Sequence, residues 1–317
     1  MLAKVLSGAI LGVDGLLIEV EVDIAFGLPS FFTVGLPEGA VKESKDRVKA
    51  AVKNSGYEFP NRRITVNLAP ADVKKEGTGY DLPIALGILA AAETFKSRLL
   101  DRYAVVGELS LDGGVRPSRG VLPMALAARA AGLRGILVPR ANGPEAAVVS
   151  GIEVIGITAL SEAVEFLAET KPLPPFTVDI EQIFRDQTVY DVDFAEVKGQ
   201  EHVKRALEIA AAGGHNVLMK GPPGSGKTMM ARRLPAILPD LTFDEALETT
   251  KIYSIMGLLP DRKGLITTRP FKAPHHTISD AGLIGGGCQF SKLLRHFGNS
   301  CDKHLTPRPV STTMPSS

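Results

Sequence analysis

The sequence predicts a protein of the mixed α/β class with two domains, and three observations support this. Strand-like and helix-like segments alternate along roughly the first 170 residues. A proline-rich stretch, KPLPPF at 171–176, favours a stiff extended spacer. A second region follows in which a short apolar segment runs into a glycine-rich loop, and a chain of 317 residues can form two hydrophobic cores.

The first region begins with three predicted strands and a helix. The segment LLIEVEVDI alternates apolar and acidic side chains, which indicates a strand with one solvated face. A charged amphipathic segment then ends at Gly56, a common position for a helix to stop. The predicted strands are Ala3–Leu11, Leu16–Ile24 and Phe31–Val34, and the predicted helix is Pro37–Ser55.

The rest of the first region centres on a predicted apolar helix, Asp81–Ala92. We expect Asp81 to be its N-cap and Pro83 to lie in its first turn, and its sequence DLPIALGILAAA predicts a central position. The remaining predicted elements are strands Ile64–Leu68, Tyr103–Leu111 and Gly135–Val138 and helix Val121–Ala131.

These patterns predict the domain boundaries. We expect a first domain at 1–170, a linker at 171–190 and a second domain at 191–287, with a helix at Glu201–Ala212 and a strand at Asn216–Lys220. The last segment, 288–317, is rich in Ser, Thr and Pro and lacks periodicity, which predicts poor order.

Composition excludes several classes of protein. The hydrophobic content of 44% is that of an ordinary globular chain, and 36 basic against 35 acidic residues exclude a basic or acidic tail protein. Two cysteines are too few for a disulfide scaffold. The N-terminus lacks a signal-peptide layout and no apolar run reaches the length of a membrane helix, so we expect a cytoplasmic protein without a membrane partner.

One motif carries specific chemistry, because GPPGSGKT at 221–228 matches the phosphate-binding loop G-x-x-x-x-G-K-[ST]. Its glycines allow backbone N–H groups to converge on a phosphate at a helix N-terminus. The lysine reaches the β- and γ-phosphate oxygens, and the threonine hydroxyl is offered to Mg²⁺. The predicted cofactors are ATP and Mg²⁺, the predicted metal ligand is Thr228, and the predicted nucleotide-binding residues are Gly221, Pro222, Pro223, Gly224, Ser225, Gly226, Lys227 and Thr228.

Hydrolysis of ATP requires, in addition, an acidic strand end that helps to hold Mg²⁺ and a carboxylate that orients water. The only Asp-Glu pair downstream of the loop is Asp244-Glu245, in PDLTFDEAL. Few apolar residues precede it, and it is more typical of a helix start, so we predict no catalytic residue.

The chain resembles the magnesium-chelatase-like AAA+ ATPases of the ComM (YifB) type. The resemblance rests on FAEVKGQEHVKRALEIAAAGGHNVLMKGPPGSGKT, RPFKAPHHTISDAGLIGGG, TVGLPEGAVKESKDRVKAAV and NLAPADVKKEGTGYDLPIALGILAA, and it covers roughly residues 1–287. It implies a Lon-protease/ribosomal-S5-like N-terminal domain followed by a P-loop AAA+ domain with a parallel sheet. It also implies a hexameric ring ATPase that acts on DNA, including branch migration during natural transformation.

From Cys288 onward the sequence matches none of the Walker B strand, sensor, arginine finger or lid that this family has. We therefore expect a partial AAA+ domain in a truncated or frame-shifted product, deficient in hydrolysis and of doubtful competence to form the ring. By analogy with the family, Val197–Gln200 lies beside the adenine.

The Lon-like resemblance raises the possibility of a Ser-Lys peptidase. Gly79 stands where the family has its nucleophilic serine, and the lysine position falls near Leu122. Thr78 is the neighbouring hydroxyl. We therefore disfavour proteolysis.

A lysine stripe could contact DNA. Lys42, Lys45, Lys49 and Lys53 fall on one face of the predicted first helix, next to a face of valines at 41, 48 and 52 that should pack. Such a stripe is either a solvated surface or a track for phosphates.

Two histidine-containing sets invite a metal interpretation that the patterns disfavour. His275 and His276 are adjacent, so their side chains point apart. The set Cys288, His296, Cys301 and His304 has zinc-like residue types at spacings that do not match known zinc sites.

The sequence thus predicts an ATP-binding member of a family of oligomeric DNA-acting ATPases. The alternatives are a non-catalytic nucleotide-binding remnant or assembly module, and a chelatase-type motor. Residues 288–317 hold four basic and one acidic residue, which leaves 32 basic and 34 acidic residues in 1–287. Any binding of DNA must then come from a local patch rather than from net charge.

Overall fold

The computed structural model describes residues 1–75, 77–187, 190–260 and 264–274, which form two compact units. Unit 1 contains Met1–Asp179 together with Glu248–Leu265. Unit 2 contains Ile180–Leu247 and the chain from Ile266 onward. The chain therefore returns to unit 1 after it has passed through most of the described part of unit 2.

Unit 1 is built on a seven-stranded, mostly parallel sheet with the order β3-β4-β2-β1-β5-β8-β9. The pairs β1–β2 and β2–β4 are antiparallel, and the other four are parallel. A separate antiparallel ribbon joins β6 to β7. The strands are β1 Leu2–Leu11, β2 Asp14–Ala25, β3 Ser30–Val34, β4 Arg63–Ala69, β5 Tyr103–Val105, β6 Glu108–Leu109, β7 Val115–Arg116, β8 Gly135–Pro139 and β9 Glu153–Ile157.

The α-helices of the described chain divide between the two units. Unit 1 contains α1 to α5, unit 2 contains α6 to α8, and α9 begins in unit 2 and ends in unit 1. Among the described residues, none of the helices has both the length and the apolar character needed to cross a bilayer. Their bounds are α1 Gly39–Asn54, α2 Asp81–Ala91, α3 Val121–Ala130, α4 Gly143–Ala146, α5 Leu160–Leu167, α6 Ile180–Gln187, α7 Glu201–Gly213, α8 Lys227–Arg233 and α9 Phe243–Met256.

Helix α2 is the centre of the core of unit 1, as its apolar sequence predicts. Ten of its eleven residues are buried, and it packs against β1 and β2. Gly87 permits the close approach, because a Cβ atom there would lie 2.6 Å from Cγ2 of Val22. The mixed α/β class is confirmed.

Two details of this region differ from the sequence predictions. Asp81 is the first residue of α2 rather than its N-cap, because its carboxylate binds the Arg47 guanidinium, with Nε to Oδ2 at 2.8 Å, and the Leu109 amide at 3.3 Å. The strand predicted at Tyr103–Leu111 is interrupted after Val105, since the Gly107 amide leaves the sheet to donate to the Gly79 carbonyl at 3.0 Å.

The proline-rich stretch at 171–176 ends against unit 1. The Phe176 amide donates to the Val154 carbonyl at 2.8 Å, and its ring fills the space beside Gly143 and Gly156, where a Cβ atom would collide with it. The contact fixes the end of this stretch on β9, three residues before the boundary between the units at Asp179.

A small apolar cluster organises unit 2. It joins the 3₁₀ turn Phe194–Glu196, α7 and α8 through Phe194, Val197, Val203, Leu207 and Met230. The helix predicted at Glu201–Ala212 is confirmed as α7. The cluster supports α8 from one side and so positions the loop that precedes it.

Candidate functional site

The candidate site is the loop Gly221–Thr228 in unit 2, which runs directly into α8. The segment Asn216–Lys220 before the loop, predicted as a strand, forms no strand, so this prediction is wrong. Val217 and Leu218 are 40% and 75% exposed. The physical reason is that, within the described part of unit 2, no strand lies beside this segment to complete its backbone hydrogen bonds.

Two glycines give the loop its shape. Gly224 has φ of +81° and Gly226 has φ of +82°, in the left-handed region that side chains with a Cβ rarely adopt. Gly226 is also the N-cap of α8. A Cβ at Gly224 would meet nothing within 4 Å, so the requirement for glycine there comes from the backbone conformation and not from crowding.

Lys227 lies inside the curve of the loop. Its Nζ donates to the carbonyl oxygens of Gly221 and Pro222, both at 2.8 Å, and to Ser225 Oγ at 3.2 Å. All three proton positions of the ammonium group are therefore used by the loop itself. A phosphate that entered the loop would exchange these weak neutral acceptors for anionic oxygens.

The start of α8 supplies the other groups that such a ligand needs. Thr228 is exposed in the first turn of the helix, where N–H groups have no intrahelical acceptor. In the part of the chain that the structure describes, the amides of Gly224 and Gly226 donate to no protein acceptor. Met230 is fully buried and anchors the helix in the apolar cluster.

Gln200 is a site residue that the sequence analysis assigned only by analogy, to the neighbourhood of the adenine. Its Nε2 donates to the Ser225 carbonyl at 3.1 Å, so it holds the loop directly. Its backbone adopts φ of +55° at the start of α7, which directs the side chain to the loop. Val197, from the same segment, is 1% exposed and belongs to the core beneath α8.

Arg233 fixes the other end of α8. Its Nε donates to Glu196 Oε2 at 3.0 Å and to the Asp193 carbonyl at 3.1 Å. Its Nη1 donates to the Met229 carbonyl at 3.2 Å. The guanidinium therefore ties the last turn of α8 to the 3₁₀ turn before α7.

The acidic pair that we rejected as a Walker B strand has another role. Asp244 and Glu245 lie in the first turn of α9, which confirms the helix-start interpretation. Glu245 accepts from the Thr242 amide at 3.0 Å, while Thr242 Oγ1 accepts from the Glu245 amide at 3.3 Å. This is a capping box, and Arg269 Nη2 donates to the same carboxylate at 3.2 Å.

The residues of the peptidase alternative do not form a nucleophile and a base. Gly79 carries no side chain, and Leu122 is fully buried. The Thr78 hydroxyl donates to Glu108, while the Lys75 ammonium is buried and donates to the Pro70 carbonyl. Burial lowers the pKa of Lys75, but its donation goes to a backbone oxygen and not to a hydroxyl nucleophile.

Metal-binding clusters of three or more His, Cys, Asp or Glu side chains do not occur in the described ranges. His275, His276, Cys288, His296, Cys301 and His304 lie outside the described residues.

Comparison with known proteins gives matches to both regions. Residues 20–142 match the family described as subunit ChlI of Mg-chelatase, and residues 193–292 match the family described as magnesium chelatase, subunit ChlI. The second match contains the phosphate loop.

Full-length relatives extend the similarity over most of the chain. The YifB protein of Escherichia coli is 44% identical over 283 residues, which are 88% of this chain and 54% of that protein. The competence protein ComM of Haemophilus influenzae is 43% identical over 293 residues, 90% of this chain and 56% of that protein.

Lon protease 2 of Bacillus subtilis is 27% identical over 144 residues, which are 44% of this chain and 25% of that protein. This agrees with a Lon-like domain joined to a P-loop domain. The chain spans about half the length of the YifB and ComM proteins that it matches. The two ChlI matches and the similarity over nine-tenths of the chain together show that it belongs to the ComM/YifB family of magnesium-chelatase-like proteins.

Proposed function

We propose that the chain binds ATP with Mg²⁺ through Gly221–Thr228. The observation that carries the proposal is the geometry of the loop: two left-handed glycines precede a helix that Met230 anchors, and its first residue, Lys227, points into the loop. The residue types and their arrangement fit a nucleotide phosphate.

In this proposal each group of the site has a separate task. The free amides of Gly224 and Gly226 donate to phosphate oxygens, and Lys227 exchanges its loop carbonyls for the β- and γ-phosphate oxygens. Thr228 offers its hydroxyl to Mg²⁺. The bound ion would neutralise part of the negative charge of the phosphates. Gln200 positions the loop through Ser225.

Binding is tested by titrating a fluorescent ATP analogue with Mg²⁺ into the purified chain. Lys227→Ala should weaken binding by about 10- to 100-fold, because it removes a charge-assisted contact of roughly 1.5–3 kcal/mol. Lys272→Ala, at an exposed lysine of unit 2 outside the loop and outside Val197–Gln200, is the matched control and should bind as the wild type does. Equal affinity of the two variants would contradict the proposal.

We propose further that this chain binds ATP without sustained turnover. The support is that Asp244 and Glu245 lie in the first turn of α9, which Glu245 caps, instead of ending a strand, so the described residues offer no acidic strand end to the loop. The measurement is phosphate release with and without DNA. Release at the rate of about 1–10³ s⁻¹ typical of enzymes would overturn this part, whereas binding without release would also support the alternative of an assembly module.

The biological context that we propose is a cytoplasmic, homo-oligomeric, DNA-acting assembly. Branch migration driven by ATP hydrolysis is the role that we propose for the family, and we expect this chain by itself to be deficient in it. The support is membership of a family in which one relative is named a competence protein. Migration of a four-way DNA junction, measured with the chain alone and with a ring-forming relative, tests the role. The mass in solution with and without ATP tests the assembly.

A further inference from the structure

A groove on unit 1 has a chemistry that neither the phosphate loop nor the fold explains. It lies between α1 and the edge strand β3 and has a volume of about 390 Å³. We call it the α1–β3 groove. It is lined by Pro29, Ser30, Phe31, Lys45, Lys49, Lys53, Phe59, Pro60, Asn61, Arg62 and Ile64.

The lining of the groove carries four positive charges and no negative one. Lys45, Lys49 and Lys53 come from successive turns of α1, and Arg62 comes from the opposite wall. Glu43 and Asp46 are exposed on α1 but do not line the groove. Across the described residues, none of the four cations forms an ion pair.

Some other cations of unit 1, by contrast, form ion pairs. Lys4 pairs with Glu21 at 2.8 Å, and Arg134 pairs with Glu153 at 3.2 Å. Four cations that converge without a counter-charge repel one another, and a polyanion would relieve that repulsion. The valine face of α1 is buried, as its sequence predicts, and Lys45, Lys49 and Lys53 are exposed on the same helix.

Aromatic side chains stand among these cations. Lys49 Nζ lies 6.0 Å from the centroid of the Phe59 ring, and the Arg62 guanidinium lies 4.7 Å from that of Phe26. Phe26 is 87% exposed and Leu28 beside it is 88% exposed. The exposed Phe26 ring next to a basic groove provides a flat surface, and Leu28 an apolar one, for a partner that carries both negative charge and aromatic faces.

We propose that the α1–β3 groove binds a single strand of nucleic acid, with phosphates on Lys45, Lys49 and Lys53 and bases stacked on Phe59 or Phe26. Single strands fit because their bases are free to reach aromatic side chains, whereas a duplex keeps its base faces within the stack. The inference rests on the proposed DNA-acting role for its context, but it assigns a contact to unit 1, whereas the phosphate loop belongs to unit 2.

The test is fluorescence anisotropy of a labelled 15-nucleotide oligothymidylate titrated with the full chain at several salt concentrations. Replacing the three lysines together, K45Q/K49Q/K53Q, should weaken binding by about 10- to 100-fold near 0.1 M salt. The slope of log K against log salt should fall by about 2, since each contact with a single strand contributes about 0.7. The same titration with a labelled oligouridylate compares RNA with DNA, because both ligands offer phosphates and unpaired bases.

A matched variant controls for net charge. K74Q/K96Q/K171Q removes the same three charges from exposed positions of unit 1 outside the groove and should retain wild-type binding and slope. F26A tests stacking at a side chain that supports no core: affinity should fall at least about 5-fold with an unchanged salt slope.

Three results would overturn the proposal. One is equal affinity of the groove and control lysine variants, and another is binding of duplex as tight as that of the single strand. The third is a change in oligomeric mass caused by K45Q/K49Q/K53Q, which would assign the face to a second copy of the chain. K227A separates the two proposals, because it should lose ATP binding and keep oligonucleotide binding.

Discussion

Glu145 is a buried carboxylate of unit 1 without a cationic partner among the described residues. It lies in α4 with 5% exposure, and its Oε1 accepts from Asn142 Nδ2. Its Oε2 has no hydrogen-bond donor among the described residues. Burial raises the pKa of Glu145, and the nearby Ser254 hydroxyl and Asn142 amide oppose that shift only in part.

The raised pKa predicts a pH dependence of stability. Between the ordinary glutamate pKa and the raised one, the folded state binds more protons than the unfolded state, so the free energy of unfolding falls as pH rises through that window. Glu145→Gln removes the buried charge. We expect it to stabilise unit 1 by about 1 kcal/mol near pH 8 and to change little below the ordinary glutamate pKa.

Urea-dependent hydrogen exchange of peptides from β8 and β9, measured at acidic pH and at pH 8, checks this prediction. Glu58→Gln is the control, because Glu58 is exposed and should leave the pH dependence unchanged. A Glu145→Gln variant less stable than the wild type at pH 8 would show that the carboxylate has a favourable partner.

At the level of residues, the sequence predicts chemistry better than contacts. The loop Gly221–Thr228 can be predicted from the sequence because the geometry of a bound phosphate fixes the spacing of its glycines and its lysine. The hydrogen bond from Gln200 to Ser225 depends on a left-handed backbone that nothing in the local sequence requires. Asp81 looks like a helix cap, but its bond to Arg47 joins residues far apart in the chain.

Among the elements, α2 and β2 show how one missing side chain sets a packing distance. At Gly87 an added Cβ would lie 2.6 Å from Val22 Cγ2 and 3.6 Å from Val5 Cγ2. Both valines are fully buried in the sheet. The helix can approach the sheet this closely only while position 87 has no side chain.

Gly87→Ala should therefore destabilise unit 1 by about 1–3 kcal/mol, because overpacking outweighs a gain in helix propensity of up to about 1 kcal/mol. Val22→Ala removes the colliding methyl, so the double variant should be more stable than the sum of the single effects predicts, by at least about 1 kcal/mol. The measurement is the hydrogen-exchange protection of α2 amides as the urea concentration is raised. The control pair is Gly87→Ala with Val52→Ala. Their effects on the free energy of unfolding should add, because Val52 lies outside this contact.

The limits of prediction for elements have a physical cause. Strands β1 to β4 alternate or are apolar, so the local pattern suffices to predict that they are strands. The segment Asn216–Lys220 has a strand-like composition, but a strand needs a neighbour, and the described part of unit 2 provides none. The break at Gly107 follows from a bond to Gly79 that connects separate loops.

For the whole molecule, the assignment of Glu248–Leu265 to unit 1 is the main departure from a simple chain of domains. The Gly120 amide donates to the Ser254 carbonyl at 3.0 Å, and Lys251 pairs with Asp14 at 3.3 Å. Gly257 packs on Arg119, and a Cβ at Gly264 would collide with the Pro144 carbonyl. The sequence predicts two domains, but contacts between such distant segments are not encoded in local periodicity.

The segment should accordingly unfold with unit 1, although it is reached only after the phosphate loop. We expect Gly87→Ala to lower hydrogen-exchange protection in peptides covering 248–256 and to leave peptides of α7 unchanged, because local stability follows cooperative units. Leu207→Ala, at a buried position of α7, should do the reverse. If residues 248–256 instead followed α7, they would belong energetically to unit 2, and the division of the chain into these two units would not describe its cooperative folding.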